Sequence, residues 1–185
     1  MRVAVTGTPG TGKTTATEHL DTDLDIVHLN DVIESEGLYT EVDEARDSKV
    51  ADLDAVRDYL EGREDVLVES HLSHLLEADR VVVLRCAPGE LERRLVERGE
   101  PAEKARENAE TAEPSRALAR KARENAESEA LDVILSEAVR DHGKSNVYEI
   151  DTTDRDPEAV ADDIEAVLAG DRDPSAGEVD FTEYL

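Results

Sequence analysis

Aromatic residues and cysteines are scarce in this sequence of 185 residues. It contains no tryptophan and one phenylalanine, and aromatic residues make up 3% of the chain, so its hydrophobic core must be aliphatic. Cys86 is the only cysteine, which excludes an intrachain disulfide and favours an intracellular, cytoplasmic protein. No apolar run reaches the roughly 18 residues that a membrane-spanning helix needs, and we expect no membrane association.

Basic residues are also few. The chain has 47 acidic and 21 basic residues, a formal net charge of −26 and a pI near 4.4. Such a surface repels nucleic acids and anionic membranes, so we expect no direct nucleic-acid binding. It is typical of a protein adapted to a high-salt cytoplasm, where the Debye length falls to roughly 3 Å at 1 M salt. Attraction of a basic protein partner is a second, compatible explanation.

Short apolar runs alternate with helical segments along the chain. The pattern predicts strands at Arg2–Thr6, Asp25–His28, Asp65–Glu69, Arg80–Leu84 and Asn146–Ile150. It predicts helices at Lys13–Leu20, from Asn30 to Glu36, Asp54–Leu60, from Pro88 to about Arg98, and from Pro157 to about Leu168. This alternation predicts an α/β fold with a five-stranded parallel sheet between helices. Ligands of such sheets bind at the carboxyl ends of the strands, where the glycine loop, Glu69 and Asp151 fall.

Two segments stand apart from this alternation. The heptapeptide Lys104–Glu110 recurs at Lys121–Glu127, which indicates a tandem duplication within 104–127, and Pro114 is expected to divide it into two helices. One domain is expected to span 1–168, followed by an acidic tail at 169–185. We expect the tail to be mobile for most of its length. Its last residues could dock on a partner or, slightly favoured, on the chain's own surface.

The segment Gly7–Thr14 fits the phosphate-binding pattern G-x-x-x-x-G-K-[ST] between a predicted strand and a helix. Glycines let the backbone curl so that successive N–H groups point at phosphate oxygens. Lys13 would neutralise the β- and γ-phosphates of ATP, and the Thr14 hydroxyl would bind Mg²⁺. A glycine turn that only joins a strand to a helix would need neither side chain.

Glu69 ends an apolar strand and is followed by Ser70 and His71. A carboxylate in that place near the phosphate loop can hold Mg²⁺, usually through water. The alternative is an ordinary strand-end acid in an acid-rich chain. His71 could orient a water or an acceptor group, although a lone histidine in a loop is more often structural. A metal site built from His71 and His74 is not expected, because no third ligand is suitably spaced.

Three arginines, Arg93, Arg94 and Arg98, lie near the end of a predicted helix, before Gly99. Phosphoryl transfer needs cations over the transferred group, and an arginine on a closing flap can supply one. We expect Arg93 to pair with neighbouring glutamates on the helix surface. Arg98 is the candidate for a functional role.

The loop Val5–Thr15 resembles that of the adenylate-kinase-like NTPases of archaea and the eukaryotic nucleus, as do Gly37–Tyr39 with Asp43–Glu44. The strand end Glu69–His71 resembles the acid-x-His motif of that family. Further similarity to its lid and the helix after it lies at Leu95–Gly99, Glu107–Asn108 and Glu124–Ile134. The resemblance covers roughly residues 1–168.

The resemblance implies a parallel sheet with a short lid at about 98–108 and an NMP-binding segment at about 30–49. It implies adenylate or broader nucleoside-monophosphate kinase activity and ATPase activity. It also implies a role in late maturation of the small ribosomal subunit and of the 16S rRNA 3′ end, with a basic ribosomal protein of the subunit platform as partner. By position, ATP would be bound by Gly10, Gly12, Lys13, Thr14, Thr15 and Arg98.

The sequence departs from that family in two places. The acid of the acid-x-His motif is usually aspartate and here is Glu69, whose extra methylene moves the carboxylate. The duplication leaves either Asn108 or Asn125 as the residue that matches the family's lid. The leading hypothesis is therefore an NMP kinase; the alternatives are an ATP-driven assembly factor and a small-metabolite kinase of the same fold.

Overall fold

The computed structural model describes residues 1–43, 48–106 and 114–184. Its strands are β1 Arg2–Thr6, β2 Asp25–His28, β3 Tyr39–Asp43, β4 Ser48–Ala51, β5 Val66–Glu69, β6 Arg80–Arg85 and β7 Val147–Asp151. Its helices are α1 Lys13–Thr17, α2 Leu29–Glu36, α3 Leu53–Leu60, α4 Pro88–Arg106, α5 Pro114–Ala130, α6 Val133–His142 and α7 Pro157–Ala169. Short 3-10 turns occupy Ser73–Leu75, Lys144–Asn146 and Thr182–Tyr184.

Five strands form one parallel sheet in the order β2-β5-β1-β6-β7. β1 lies at its centre, so the glycine loop that follows it emerges between the carboxyl ends of β5 and β6. The five predicted strands and their parallel arrangement are confirmed. β3 and β4 form a separate antiparallel hairpin that the sequence analysis did not predict, within the segment 30–49.

Helices cover both faces of the sheet. On one face, Ala16 of α1 and the aliphatic side chains of α7 pack against Val3, Val5 and Leu84. On the other face, the core combines strand residues with α2, α3 and α6: its helical members are Leu29, Ile33, Val56, Leu60, Leu135 and Ala138. The predicted three-layer α/β/α architecture with an aliphatic core is confirmed.

Two helices end elsewhere than predicted. α1 stops at Thr17 and not at Leu20, because the chain tightens into turns whose N–H groups bond three residues back. α4 continues past Arg98 to Arg106 and includes Gly99 and Pro101. It packs along α5, and this tertiary packing outweighs the low helix propensity of glycine and proline. The segment from Pro114 is helical, but the residues before it, where the predicted break would lie, are outside the described residues.

The C-terminal tail lies against the domain, contrary to the expectation that most of it is mobile. Ser175 and Ala176 are buried, and the Ser175 N–H donates to the carbonyl oxygen of Val147. Further on, the ring of Phe181 contacts the guanidinium of Arg85 and the hydroxyl of Tyr184 donates to Glu92. The docking on the chain's own surface is therefore the alternative that the structure shows.

Parts of the predicted segments lie outside the described residues. These are 44–47 of the NMP-binding segment, 107–108 of the lid, the end of the first heptapeptide copy, and Leu185. The second copy lies within α5. Among the described residues, no helix has the length and apolar character that crossing a membrane requires.

Candidate functional site

The glycine loop joins β1 to α1 with three residues in the left-handed region. Gly7, Gly10 and Gly12 have φ values of 139°, 100° and 90°. A Cβ on Gly7 would lie 2.3 Å from the carbonyl oxygen of Leu84, so only glycine fits there. A Cβ on Gly12 would meet nothing within 4 Å, so at this position the positive φ and not a lack of space favours glycine.

Lys13 is buried in the curve of this loop. Its ammonium donates to the carbonyl oxygens of Gly7 at 2.9 Å and Thr8 at 3.1 Å. Burial lowers the pKa of Lys13 to about 8, although the carboxylates of Glu69 and Glu129 oppose the shift. Within the described part of the chain, the hydrogen bonds of this buried cation go to two neutral carbonyls, which phosphate oxygens could replace. The loop and its lysine thus fit a nucleoside triphosphate.

The carboxylate of Glu69 lies beside the loop because β5 is the neighbour of β1 in the sheet. Its Oε2 accepts hydrogen bonds from Thr14 Oγ1 at 3.2 Å and makes a 3.0 Å contact with His28 Nδ1. Thr14 and Thr15 are exposed, whereas Glu69 is buried. An accessible hydroxyl next to a fixed carboxylate is a donor set that fits hydrated Mg²⁺. His28 was not predicted, although it ends β2, the next strand in the sheet.

His71 lies two residues after Glu69, close enough to Lys13 for the charge of that lysine to affect the pKa of the histidine. Burial, with smaller contributions from Lys13 and His74, lowers the pKa of His71 to about 4, so the ring is neutral at pH 7. His74 is held elsewhere, between the Thr6 hydroxyl and the carboxylate of Glu137. In the described part of the chain, no group of three histidine, cysteine or acidic side chains could hold a metal ion.

A cavity of about 420 Å³ opens between the loop, α4 and the start of α7. Its lining includes Gly10, Gly12, Thr15, Arg94, Arg98, Thr152 and Arg155. Arg98 is exposed on α4 and borders the cavity, as its predicted role requires. Arg93 instead pairs with Glu90 and Glu97 on the outer face of the helix, as expected.

The far wall of the cavity was not predicted from the sequence. Thr152, just after β7, donates from its hydroxyl to the carbonyl oxygen of Thr11 at 2.9 Å. The guanidinium of Arg94 donates to the carbonyl oxygen of Thr152 at 3.0 Å. The one feature of the sequence that pointed to this wall was Asp151, at the predicted carboxyl end of a strand. In the structure Asp151 instead accepts hydrogen bonds from Thr153 in a local turn.

Glu69, His71 and Arg98 all lie close enough to Lys13 to interact with its charge. Of the candidate residues, Arg98 and parts of the loop line the cavity. Their catalytic and binding roles stay predictions. Asn125 lies half-buried on α5, and Asn108 is outside the described residues.

Known proteins resemble this chain in sequence and in fold. Residues 3–132 match the family described as the AAA domain. A protein of Natronomonas pharaonis named "Putative adenylate kinase" is 67% identical over 110 residues, which are 60% of this chain and 66% of that protein. One of Methanosarcina mazei with the same name is 42% identical over 132 residues, 60% of this chain and 67% of that protein. The chain thus aligns with just under two thirds of the length of the Natronomonas relative.

A solved structure shares the fold. Shikimate kinase from Bacteroides thetaiotaomicron superposes with a TM-score of 0.53 at 16% identity, covering 91% of this chain and 98% of the enzyme. At that identity the likeness supports the α/β fold alone. The sequence matches and the glycine loop agree with each other: the chain belongs to the AAA domain family of P-loop proteins and is adenylate-kinase-like.

Proposed function

We propose that the protein is a nucleoside-monophosphate kinase, with adenylate kinase activity, that transfers the γ-phosphoryl group of ATP to AMP or another NMP. The observation that carries this proposal is the placement of Thr14 within 3.2 Å of the Glu69 carboxylate, beside the buried ammonium of Lys13. This arrangement combines a Mg²⁺ donor set with a phosphate-binding cation. The names of the sequence relatives point to the same reaction.

ATP would supply the phosphoryl group, and Mg²⁺ would neutralise charge on its β- and γ-phosphates. Lys13 would exchange its carbonyl partners for phosphate oxygens, while Thr14 and Glu69 would hold the hydrated ion. Arg98 would add positive charge from α4 as the phosphoryl group moves. The phosphate of the acceptor is already ionised at neutral pH, so no strong general base is needed.

The acceptor would lie over the segment 30–49. This segment begins two residues after His28, which contacts Glu69, so its first residues are near the candidate Mg²⁺ site. The side chain of Asn30 accepts a hydrogen bond from the Ser70 hydroxyl at 2.9 Å, which ties the segment to the residue after Glu69. An NMP held there would approach the sheet at the same carboxyl ends as the glycine loop.

The decisive test is ADP formation by the purified protein in high-salt buffer with Mg²⁺ and ATP, with and without AMP. Rapid ADP formation that requires AMP is the expected result. ADP formation at one slow rate in both reactions would contradict the kinase proposal. Replacing AMP with GMP, CMP or UMP then measures the breadth of the acceptor site. A panel of small hydroxylated metabolites tests the alternative of a metabolite kinase.

Arg98→Ala is expected to lower the rate of phosphoryl transfer by about 10- to 100-fold, because it removes a cation that borders the nucleotide cavity. Arg93→Ala is the matched control on the same helix: its guanidinium pairs outward with Glu90 and Glu97, and its removal should leave the rate unchanged. The measurement is the steady-state rate of ADP formation by each variant. Equal rates for the two variants would show that α4 contributes no catalytic cation at Arg98.

A second candidate is an ATPase that acts as an assembly factor for the small ribosomal subunit. The net charge of −26 favours it, since such a surface would attract a basic ribosomal protein. Glu69 and the neutral ring of His71 would then position the attacking water. Hydrolysis of ATP that is slow alone and accelerates with a basic platform protein of the small subunit would support this role. Hydrolysis unaffected by that protein would count against it.

A further inference from the structure

A buried carboxylate beneath the glycine loop connects the loop to the helical pair α4–α5. Glu129, near the end of α5, is 3% exposed. Its Oε2 accepts a hydrogen bond from the hydroxyl of Thr8 at 2.5 Å. Its Oε1 accepts from Arg85 Nε at 2.6 Å and from the Cys86 N–H at 3.3 Å. Both oxygens of one side chain are therefore used, one toward the loop and the other toward β6.

These contacts lie where the α4–α5 pair joins the sheet. Cys86 stands two residues before the start of α4, and Glu129 stands one residue before the end of α5. Asp132, at the junction of α5 and α6, has a φ of 52°, a left-handed conformation that aspartate tolerates better than most residues. Arg85 holds this junction, since its guanidinium pairs with Asp132 and donates to the carbonyl oxygen of Glu129 at 3.2 Å.

Near the middle of α4, the same helical pair borders the nucleotide cavity. Arg98 lies on α4, which packs along α5, and borders the cavity of about 420 Å³ together with Gly10 and Gly12. A rotation of the pair about its two connections to the sheet would move Arg98 relative to the loop. Glu129 lies at one of these connections, so its hydrogen bonds to Thr8 and Arg85 help to set the angle of the pair.

We propose that Glu129 is a positioning residue that couples the glycine loop, through Thr8, to the α4–α5 pair and so to Arg98. The inference rests on the proposed binding of ATP at this loop. When the Thr8 contact is intact, the nucleotide on the loop and the guanidinium on α4 act together. When it is lost, the pair is free to adopt angles at which Arg98 does not reach the nucleotide.

The test is a double-mutant cycle on the affinity for Mg²⁺-ATP, measured by titration calorimetry in high salt. Arg98→Ala is expected to weaken binding about 10-fold in the wild-type background and less than about 3-fold in the Thr8→Val background. Valine keeps the shape of threonine and removes only the hydroxyl donor. A reduction by the same factor in both backgrounds would overturn the inference, because the two sites would then be independent.

Two controls separate coupling from a merely structural role. Thr8→Ser keeps the hydroxyl and should restore the wild-type factor for Arg98→Ala. Thr17→Val removes a buried hydroxyl of α1 that donates to the carbonyl oxygen of Thr14 and not to Glu129, and should also leave that factor unchanged. Thr8→Ala replaces Thr8→Val should the valine variant not fold.

The binding measurement needs no acceptor, so it is independent of the kinase assay. Coupling in the binding cycle without AMP-dependent ADP formation would contradict the proposed function and leave the role of Glu129 intact. AMP-dependent activity without coupling would overturn the role of Glu129 alone. Failure of the wild-type protein to bind Mg²⁺-ATP would overturn both.

Discussion

Lys13→Ala is expected to reduce phosphoryl transfer by about 10²- to 10³-fold or more, the largest effect of any single change at this site. Removing one preorganised charge from a water-excluded site costs a factor of that order. Lys13 is the cation inside the loop itself, whereas Arg98 is exposed at the border of the cavity. The measurement is the AMP-dependent rate of ADP formation, and ATPase activity should fall with it.

Loss of activity in this variant should not come from loss of folding. The pKa of Lys13 is lowered to about 8 by burial, so at pH 7 the folded protein carries the full cost of keeping this ammonium charged. Removing the side chain also removes that cost, and the thermal midpoint should fall by no more than about 3 °C. Lys121→Ala, at an exposed position of α5, is the matched control and should retain full activity. A Lys13→Ala variant that stays active would contradict a catalytic role for the loop.

The sequence predicted the sheet and the phosphate loop because their signals are local. Each central strand is a continuous apolar run, and the loop pattern lies within Gly7–Thr14. Glu69 could be placed near the loop from the rule that parallel strands end at one edge of the sheet. The hairpin of β3 and β4 was missed because Val42 and Val50 are exposed and the segment contains no continuous apolar run.

Contacts between distant parts of the chain could not be predicted in the same way. Arg85 follows the predicted strand Arg80–Leu84 and is the last residue of β6, and nothing near it in sequence shows that the guanidinium is buried. Its partners Glu129 and Glu149 are 44 and 64 residues away. The acidic tail reads as a mobile segment, yet it folds back because Glu149 accepts the N–H groups of Gly177 and Glu178.

Arg85→Met should produce the largest loss of stability, about 3–5 kcal/mol in the free energy of unfolding. Burial opposes the charge of Arg85, but the nearby carboxylates, led by Glu129, outweigh it and raise the pKa of the guanidinium. Arg85 is 1% exposed, and Glu129 and Glu149 are 3% and 2% exposed. Methionine fills similar volume but leaves both carboxylates buried without their cation.

The measurement is urea unfolding in high salt, where the buried cluster is shielded from the ions that screen surface pairs. Arg140→Met is the control, since Arg140 pairs with Asp141 on the exposed surface and its replacement should leave the free energy of unfolding nearly unchanged. Equal losses of unfolding free energy in the two variants would mean that removing Arg85 leaves no uncompensated charge in the buried cluster.

A triple variant separates lost charge from lost packing. Combining Arg85→Met with Glu129→Gln and Glu149→Gln removes the two uncompensated carboxylates and should recover part of the stability that Arg85→Met alone loses. Glutamine can still accept the Thr8 hydroxyl and the tail N–H groups, so the loop and the tail keep partners. No recovery would assign the loss to packing around the methionine. Recovery would show that the buried guanidinium is retained to balance the carboxylates on which both the glycine loop and the C-terminal tail depend.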